Sequence, residues 1–142
     1  MANQLTLKNT LHHGNGLVYS DYYVNDSRLA SRLHVEGLIT PFGWLGPESE
    51  KKFARMLLGL AESDFRKNRV PLFLCSECAD YGCGVVTCEV EFTREKVTWR
   101  NFAQEVDYND DCFVQEKNTR DFRLTFEAEA YQSLFQAYDG DL

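Results

Sequence analysis

Cys83-Gly84-Val85-Val86-Thr87-Cys88-Glu89-Val90-Glu91-Phe92, then Thr93-Arg94-Glu95, then Lys96-Val97-Thr98-Trp99-Arg100-Asn101-Phe102-Ala103-Gln104-Glu105-Val106: this stretch decides the fold. Its two long runs are rich in β-branched and aromatic residues, which pack well on a pleated surface, so both read as strands. Only Thr93-Arg94-Glu95 lies between them. A parallel crossover needs about a dozen residues or more, so the two strands must pair antiparallel. Outward from this hairpin, Val70–Cys75 reads as a preceding strand, and a short piece near Cys112–Gln115 and then Arg120–Phe126 read as following ones. A meander joins such neighbours most economically.

On the N-terminal side, Leu5, Leu7 and Leu11 alternate with mostly polar residues through Gln4–Leu11, the two-residue period of a half-buried strand. His12-His13-Gly14-Asn15-Gly16 suits a hairpin loop, and Leu17–Val24 suits the returning strand. Asp26 or Ser27 is placed to cap a short helix carrying Leu29, Ala30 and Leu33. Thr40-Pro41-Phe42-Gly43-Trp44-Leu45-Gly46-Pro47 reads as an ordered loop over the core. Pro47 suits a first helical position, and Phe53, Met56, Leu57, Leu60 and Ala61 then form one apolar stripe at helical spacing. Tyr131, Leu134, Phe135 and Tyr138 repeat at the same spacing and predict a C-terminal helix ending near Gly140. The expected architecture is α+β: a single antiparallel sheet, N-terminal hairpin plus C-terminal meander, with two main helices packed on it, in one domain over residues 1–142.

Composition narrows the function classes. Hydrophobic residues are 44% and charged residues 26% of the chain, the balance of an ordinary globular protein. No apolar run reaches the roughly 18 residues of a membrane-spanning helix, so no membrane association is expected. Met1-Ala2-Asn3-Gln4-Leu5-Thr6 has neither a basic leader nor an apolar run before a cleavage site, and the five cysteines are an odd number. Both features lead to the expectation of a reducing, cytoplasmic setting with free thiols. The formal charge of −7 and pI near 4.9 disfavour nucleic acid, whose phosphates require clustered Lys and Arg, so no nucleic-acid partner is expected and a basic protein partner fits better.

Chemistry is densest at Cys75-Ser76-Glu77-Cys78-Ala79-Asp80-Tyr81-Gly82-Cys83-Gly84. A C-x2-C turn lets two thiolates converge on one ion, but structural zinc takes four ligands and only one such pair is present. On a regular strand Cys83 and Cys88 point to opposite faces, which leaves Cys88 beside Val86, Val90 and Phe92 as a core thiol. A fourth ligand would have to come from Cys112, His12, His13 or His34. Cys75, Cys78 and Cys83 therefore stand as a candidate thiol cluster with three readings: packed thiols, a metal site, or redox use. No cofactor or assigned metal site is expected.

The same segment resembles an uncharacterised bacterial protein family that carries Cys-Pro-x-Cys-Gly-Asp-x-Gly-Cys-Gly after a Val-Pro-Leu strand, followed by Trp-x-x-Phe and an Asn/Asp-Tyr pair. The matching residues are Val70-Pro71-Leu72, Cys75, Cys78, Asp80, Gly82, Cys83, Gly84, Trp99, Phe102 and Tyr108, with Ser76 and Ala79 in place of the Pro and the first Gly. The resemblance implies a shared fold and carries no activity.

The remaining signal is electrostatic. Glu105-Val106-Asp107-Tyr108-Asn109-Asp110-Asp111 gathers carboxylates in a segment that must turn the chain, without the glycine and terminal glutamate of a calcium-binding EF-hand loop. Glu105, Asp107, Tyr108, Asp110 and Asp111 are thus candidate partner-binding residues, Tyr108 supplying contact area and the carboxylates steering a basic partner. The alternative is a solvated turn. No phosphate-binding loop, nucleophile elbow, dinucleotide fingerprint or zinc-protease helix is present, and no catalytic residue is nominated. The sequence therefore points to a small acidic binding protein, such as an immunity-type protein that neutralises a basic toxin domain, with a thiol-based zinc or redox protein as the alternative.

Overall fold

The computed structural model describes residues 2–12, 16–35, 37–63, 65, 69–77, 84–108 and 113–139, and for 105–108 and 113–122 the backbone. Leu5–Leu11 (β1) pairs antiparallel with Val18–Val24 (β2), in register from Leu5 opposite Val24 to Leu11 opposite Val18. Asn25 and Asp26 follow with φ of 50° and 69° and reverse the chain into Ser27–Arg28 (β3). Asp26 is thus a hairpin-turn residue instead of a helix cap. Asn and Asp tolerate the left-handed conformation that a two-residue hairpin turn demands, and that use of the pair wins over capping. The helix Leu29–Arg32 (α1) starts after Arg28 with no side-chain cap, and Leu29, Ala30 and Leu33 are buried as their spacing predicts.

Leu38–Ile39 (β4) leads into the Gly- and Pro-rich loop, which does lie over the core: Phe42 is fully buried, and the Trp44 Nε1–H donates to the Thr40 carbonyl at 2.6 Å. Gly43 is required there. With φ of 92°, its position would put a Cβ 2.9 Å from the Ser20 amide nitrogen, so only glycine lets the loop lie against β2. Pro47–Leu57 (α2) begins at Pro47 as expected and buries Phe53, Ala54, Met56 and Leu57. It ends sooner than the apolar stripe does. Gly59 adopts φ of 75°, its N–H bonds to Met56 O and the Leu60 N–H to Arg55 O, a glycine-terminated cap that turns Leu60 and Ala61 off the helix and leaves both exposed.

The rest is the expected antiparallel meander: Arg69–Cys75 (β5), Val85–Phe92 (β6), Lys96–Tyr108 (β7) and Phe113–Glu127 (β8), followed by the helix Ala128–Asp139 (α3). The two short pieces predicted after residue 111 are one continuous strand, β8. Its pairing with β7 shifts register at four places between Arg100 and Asp107, and each bulge breaks the two-residue alternation by which a strand is recognised. At one of these bulges Asn101 has φ of 54°, and the buried Arg69 guanidinium donates to its carbonyl at 2.7 Å and to Thr87 Oγ1 at 2.9 Å. That side chain satisfies carbonyl and hydroxyl groups the irregular ladder leaves over.

A single sheet does not form. The strands divide into a three-stranded sheet, β1-β2-β3, and a five-stranded sheet, β4-β5-β6-β7-β8. The far edge of β2 is occupied by β3 and by the loop, through Ser20 N–H to Phe42 O at 2.9 Å and Thr40 Oγ1–H to Ser20 O at 2.5 Å. The hairpin therefore meets the meander mainly face to face. Tyr22 of β2 packs edge-on against Phe73 of β5 and Trp99 of β7, with ring centroids 5.5 and 5.6 Å apart. The helices join the same core: Trp99 Nε1–H donates to Tyr131 Oη of α3, whose O–H donates to the Leu57 carbonyl at the end of α2. Among the described residues no helix is long and apolar enough to cross a membrane.

Candidate functional site

Of the clustered thiols, Cys75 closes β5, half-buried, opposite Leu38 of β4. Cys78 and Cys83 lie outside the described residues, as do Cys112 and His13. Cys88 is fully buried, and burial pushes its thiol well above the ordinary value of 9.0. His34 is exposed in the turn after α1. Among the described residues no group of three or more His, Cys, Asp or Glu side chains is placed to hold a metal ion.

The first part of the acidic segment is a strand end. Glu105, Asp107 and Tyr108 belong to β7 and pair with Gln115, Val114 and Phe113 of β8, while Asp110 and Asp111 lie outside the described residues. Glu105 is also the partner of Val85, the first residue of β6. Among the described residues β7 has no β6 neighbour past that point, and Asp107 and Tyr108 pair with Val114 and Phe113 of β8; this paired end of β7 and β8 is the arm. The long hairpin was hidden in the sequence by the bulges of β8.

The fold also assembles a polar cluster that no motif announces. The β1–β2 turn carries His12 to the end of β5, where its Nε2 lies 3.1 Å from Ser76 Oγ. The His12 ring stands edge-on to Tyr19, with centroids 6.5 Å apart. The Tyr19 hydroxyl accepts from the Arg28 guanidinium at 3.2 Å, and Arg28 Nε–H donates to Asp21 Oδ2 at 2.7 Å. Asp21 is fully buried, and its other oxygen accepts the Tyr22 N–H at 2.9 Å. Burial, and then the neighbouring Asp21 charge, hold the Tyr19 phenol above its ordinary value of 10.0. Sequence inspection finds no base near Ser76 because His12 is 64 residues away; only the packing of the hairpin against β5 joins them.

No protein-family model, curated protein or solved structure matches the chain. The chemistry must then be read from the geometry. Ser76 and His12 are close enough to exchange a proton, and the same contact ties the small sheet to the large one.

Arg28 has 41% of its side chain exposed while the Asp21 carboxylate has 1%, so the two partners are not equivalent. Arg28→Ala leaves a buried carboxylate short of its guanidinium. It is expected to lower stability by about 2 kcal/mol, below the usual cost for a fully buried pair because one partner is half in water. A shift of the urea midpoint at unchanged slope measures it; no shift would mean that water replaces the guanidinium freely.

Proposed function

We propose that this is a small acidic cytoplasmic protein that binds a basic protein partner through its acidic segment, Glu105, Asp107, Tyr108, Asp110 and Asp111, in the manner of an immunity-type protein that neutralises a toxin domain. The observation that supports this reading is the register of β7: Glu105, Asp107 and Tyr108 lie at its end, where past Glu105 it pairs with β8 and, among the described residues, with no other strand. A like-signed projection on a chain of net charge −7 accelerates encounter with a basic surface and repels acidic ones.

The test is capture of a partner from native lysate by the wild-type chain and by the triple variant Asp107→Lys, Asp110→Lys, Asp111→Lys. Wild type is expected to retain a basic protein at low salt and to lose it as screening lengths fall below about 10 Å near 0.1 M ionic strength. The triple variant is expected to retain none. Equal capture by both proteins at every salt concentration would remove the arm from the binding surface.

One observation favours a second reading, a zinc or redox site at Cys75, Cys78 and Cys83. His12, one of the candidate fourth ligands, touches Ser76, inside the C-x2-C segment. An imidazole whose Nε2–H donates to Ser76 Oγ has Nδ1 left for a metal, the arrangement in which a neighbouring acceptor orients a metal-bound histidine. Native mass spectrometry separates the readings: one zinc per chain, lost in His12→Ala and Cys75→Ser, supports the thiol site, and a metal-free mass after zinc loading removes its metal form.

A further inference from the structure

The two sheets end in four edge strands among the described residues, β1 and β3 in the small sheet and β4 and β8 in the large one. An edge strand exposes a row of unpaired N–H and C=O groups, and folded chains guard such rows by shortness, bulges or charge. β3 and β4 are two residues long each. β8 is bulged at several places and carries Lys117, Arg120 and Arg123. β1 lacks these protections: it is seven residues long and pairs with β2 in unbroken register. Its one charged residue, Lys8, leans back over the sheet and away from the edge, with its ammonium 4.6 Å from the centre of the Tyr23 ring of β2 and 3.6 Å from Asp26.

One bond fixes which groups face outward. The Asn25 N–H donates to the Gln4 carbonyl at 2.9 Å, so residue 4 faces β2. Antiparallel pairing alternates, so Thr6, Lys8 and Thr10 face β2 as well, while Leu5, Leu7, Asn9 and Leu11 turn their N–H and C=O groups to the open side. Asn3 points the same way, and its N–H reaches the Thr125 carbonyl at 2.6 Å in a parallel bridge to β8. β8 then gives way to α3 at Ala128, and past Asn3 the outward amides of β1 have no partner among the described residues. At the far end of the hairpin Leu11 stands opposite Val18, 52% and 54% exposed, on the face that further along buries Tyr22 and Val24.

A row of this kind is satisfied by an extended backbone, and β1 is complementary to itself. Two copies laid antiparallel allow three registers that pair outward residues with each other. Centred on Leu7, the second strand would run into the bridge at Asn3. Centred on Lys8, the two lysines would stand directly opposite, which is unfavourable. Centred on Asn9, each Leu11 lies across from Leu7 of the other copy, Lys8 lies across from Thr10, and the pairing stops short of Asn3. β1 also carries no carboxylate in a chain of net charge −7, so along this edge two acidic copies approach with least repulsion. We propose that β1 joins two copies of this chain, antiparallel about Asn9, so that the small sheet runs on from β3-β2-β1 of one into β1-β2-β3 of the other. The contact is independent of the acidic segment at the end of β7.

Sedimentation velocity of the full chain from about 10 μM to about 1 mM, the range suited to a contact this small, is expected to show a monomer–dimer equilibrium. Salt is expected to strengthen it by screening the net charges, the reverse of its effect on capture of a basic partner. In ¹⁵N spectra of the same samples the amides of Leu7, Asn9 and Leu11 are expected to shift with concentration. Asn9→Pro removes an N–H that faces away from β2, a change an edge strand tolerates, and is expected to weaken association about tenfold or more. Thr10→Lys and Thr10→Glu test the register. By net charge alone the first would favour association and the second oppose it; across from Lys8 of the other copy the order inverts, so Thr10→Glu is expected to associate more tightly than wild type and Thr10→Lys less tightly. Spectra at the lowest concentration report that each variant is folded. A monomer at every concentration, a dimer indifferent to Asn9→Pro, Thr10 variants ordered by net charge, or concentration-dependent shifts confined to β8 would each overturn the proposal.

Discussion

Trp99→Ala is expected to cost the fold about 4 kcal/mol, a large part of the 5–15 kcal/mol that holds a typical domain together. Trp99 is fully buried and sits where three layers meet: its ring is edge-on to Tyr22 of the small sheet, to Phe126 of β8 and to Tyr131 of α3, at centroid distances of 5.6, 5.1 and 6.0 Å. Truncation removes the transfer energy of the indole and leaves a void that three rigid neighbours cannot collapse into. It also breaks the chain of hydrogen bonds from Trp99 Nε1–H to Tyr131 Oη and on to the Leu57 carbonyl. Tyr131→Phe isolates that second loss. It leaves the indole N–H and the carbonyl without this partner inside the core and is expected to cost about 2 kcal/mol with little change in packing. Urea unfolding measures both variants, and a Trp99→Ala loss below about 1 kcal/mol would show that the small sheet and the helices are not joined through this ring.

Alkaline solution is the second large lever. Burial raises the Cys88 thiol above 9.0 and the Tyr22 and Tyr131 phenols well above 10.0. In the unfolded chain these groups lose their protons near those ordinary values, while in the folded chain they keep them. The unfolded state therefore binds fewer protons, and stability must fall as pH rises. The loss starts near pH 9 with Cys88 alone, at about 1.4 kcal/mol per pH unit. Above pH 10 the Tyr22 and Tyr131 phenols, and the Tyr19 phenol held above 10.0 beside Asp21, add to the loss and the slope steepens. Urea titrations between pH 8 and pH 11 read this directly, and Tyr22→Phe should flatten the curve by one group. That variant also removes a buried hydroxyl that has no hydrogen-bond partner among the described residues, so below pH 9 it is expected to be neutral or stabilising. A flat stability profile from pH 8 to pH 11 would mean that the core opens to hydroxide without unfolding.

Local pattern was enough for most elements. The three-residue connection at 93–95 determined the antiparallel pairing of β6 and β7, Pro47 marked the start of α2, and the spacing of Tyr131, Leu134, Phe135 and Tyr138 marked α3. These features depend on neighbours in sequence: turn length, backbone constraint at proline, and a helical period. The end of α2 was also legible at Gly59, but the apolar pattern continued to Ala61 and masked it, because periodicity records which residues are apolar and not where the backbone must leave the helix.

What lay beyond the sequence was every decision made between distant segments. Two sheets stand in place of one because the far edge of β2 is filled by β3 and the 40–42 loop, so that apart from one bridge of Asn3 to Phe126 the hairpin packs by its face. The contact of His12 with Ser76 and the exposure of Leu60 beside Phe92 have the same origin. Each depends on which backbone edges and which volumes other parts of the chain have already taken, and no residue carries that information in its own identity. The amino-acid order thus determined the elements, their pairing order in the meander and the sign of the surface charge. Tertiary packing alone decided which side chains meet and which are left facing water.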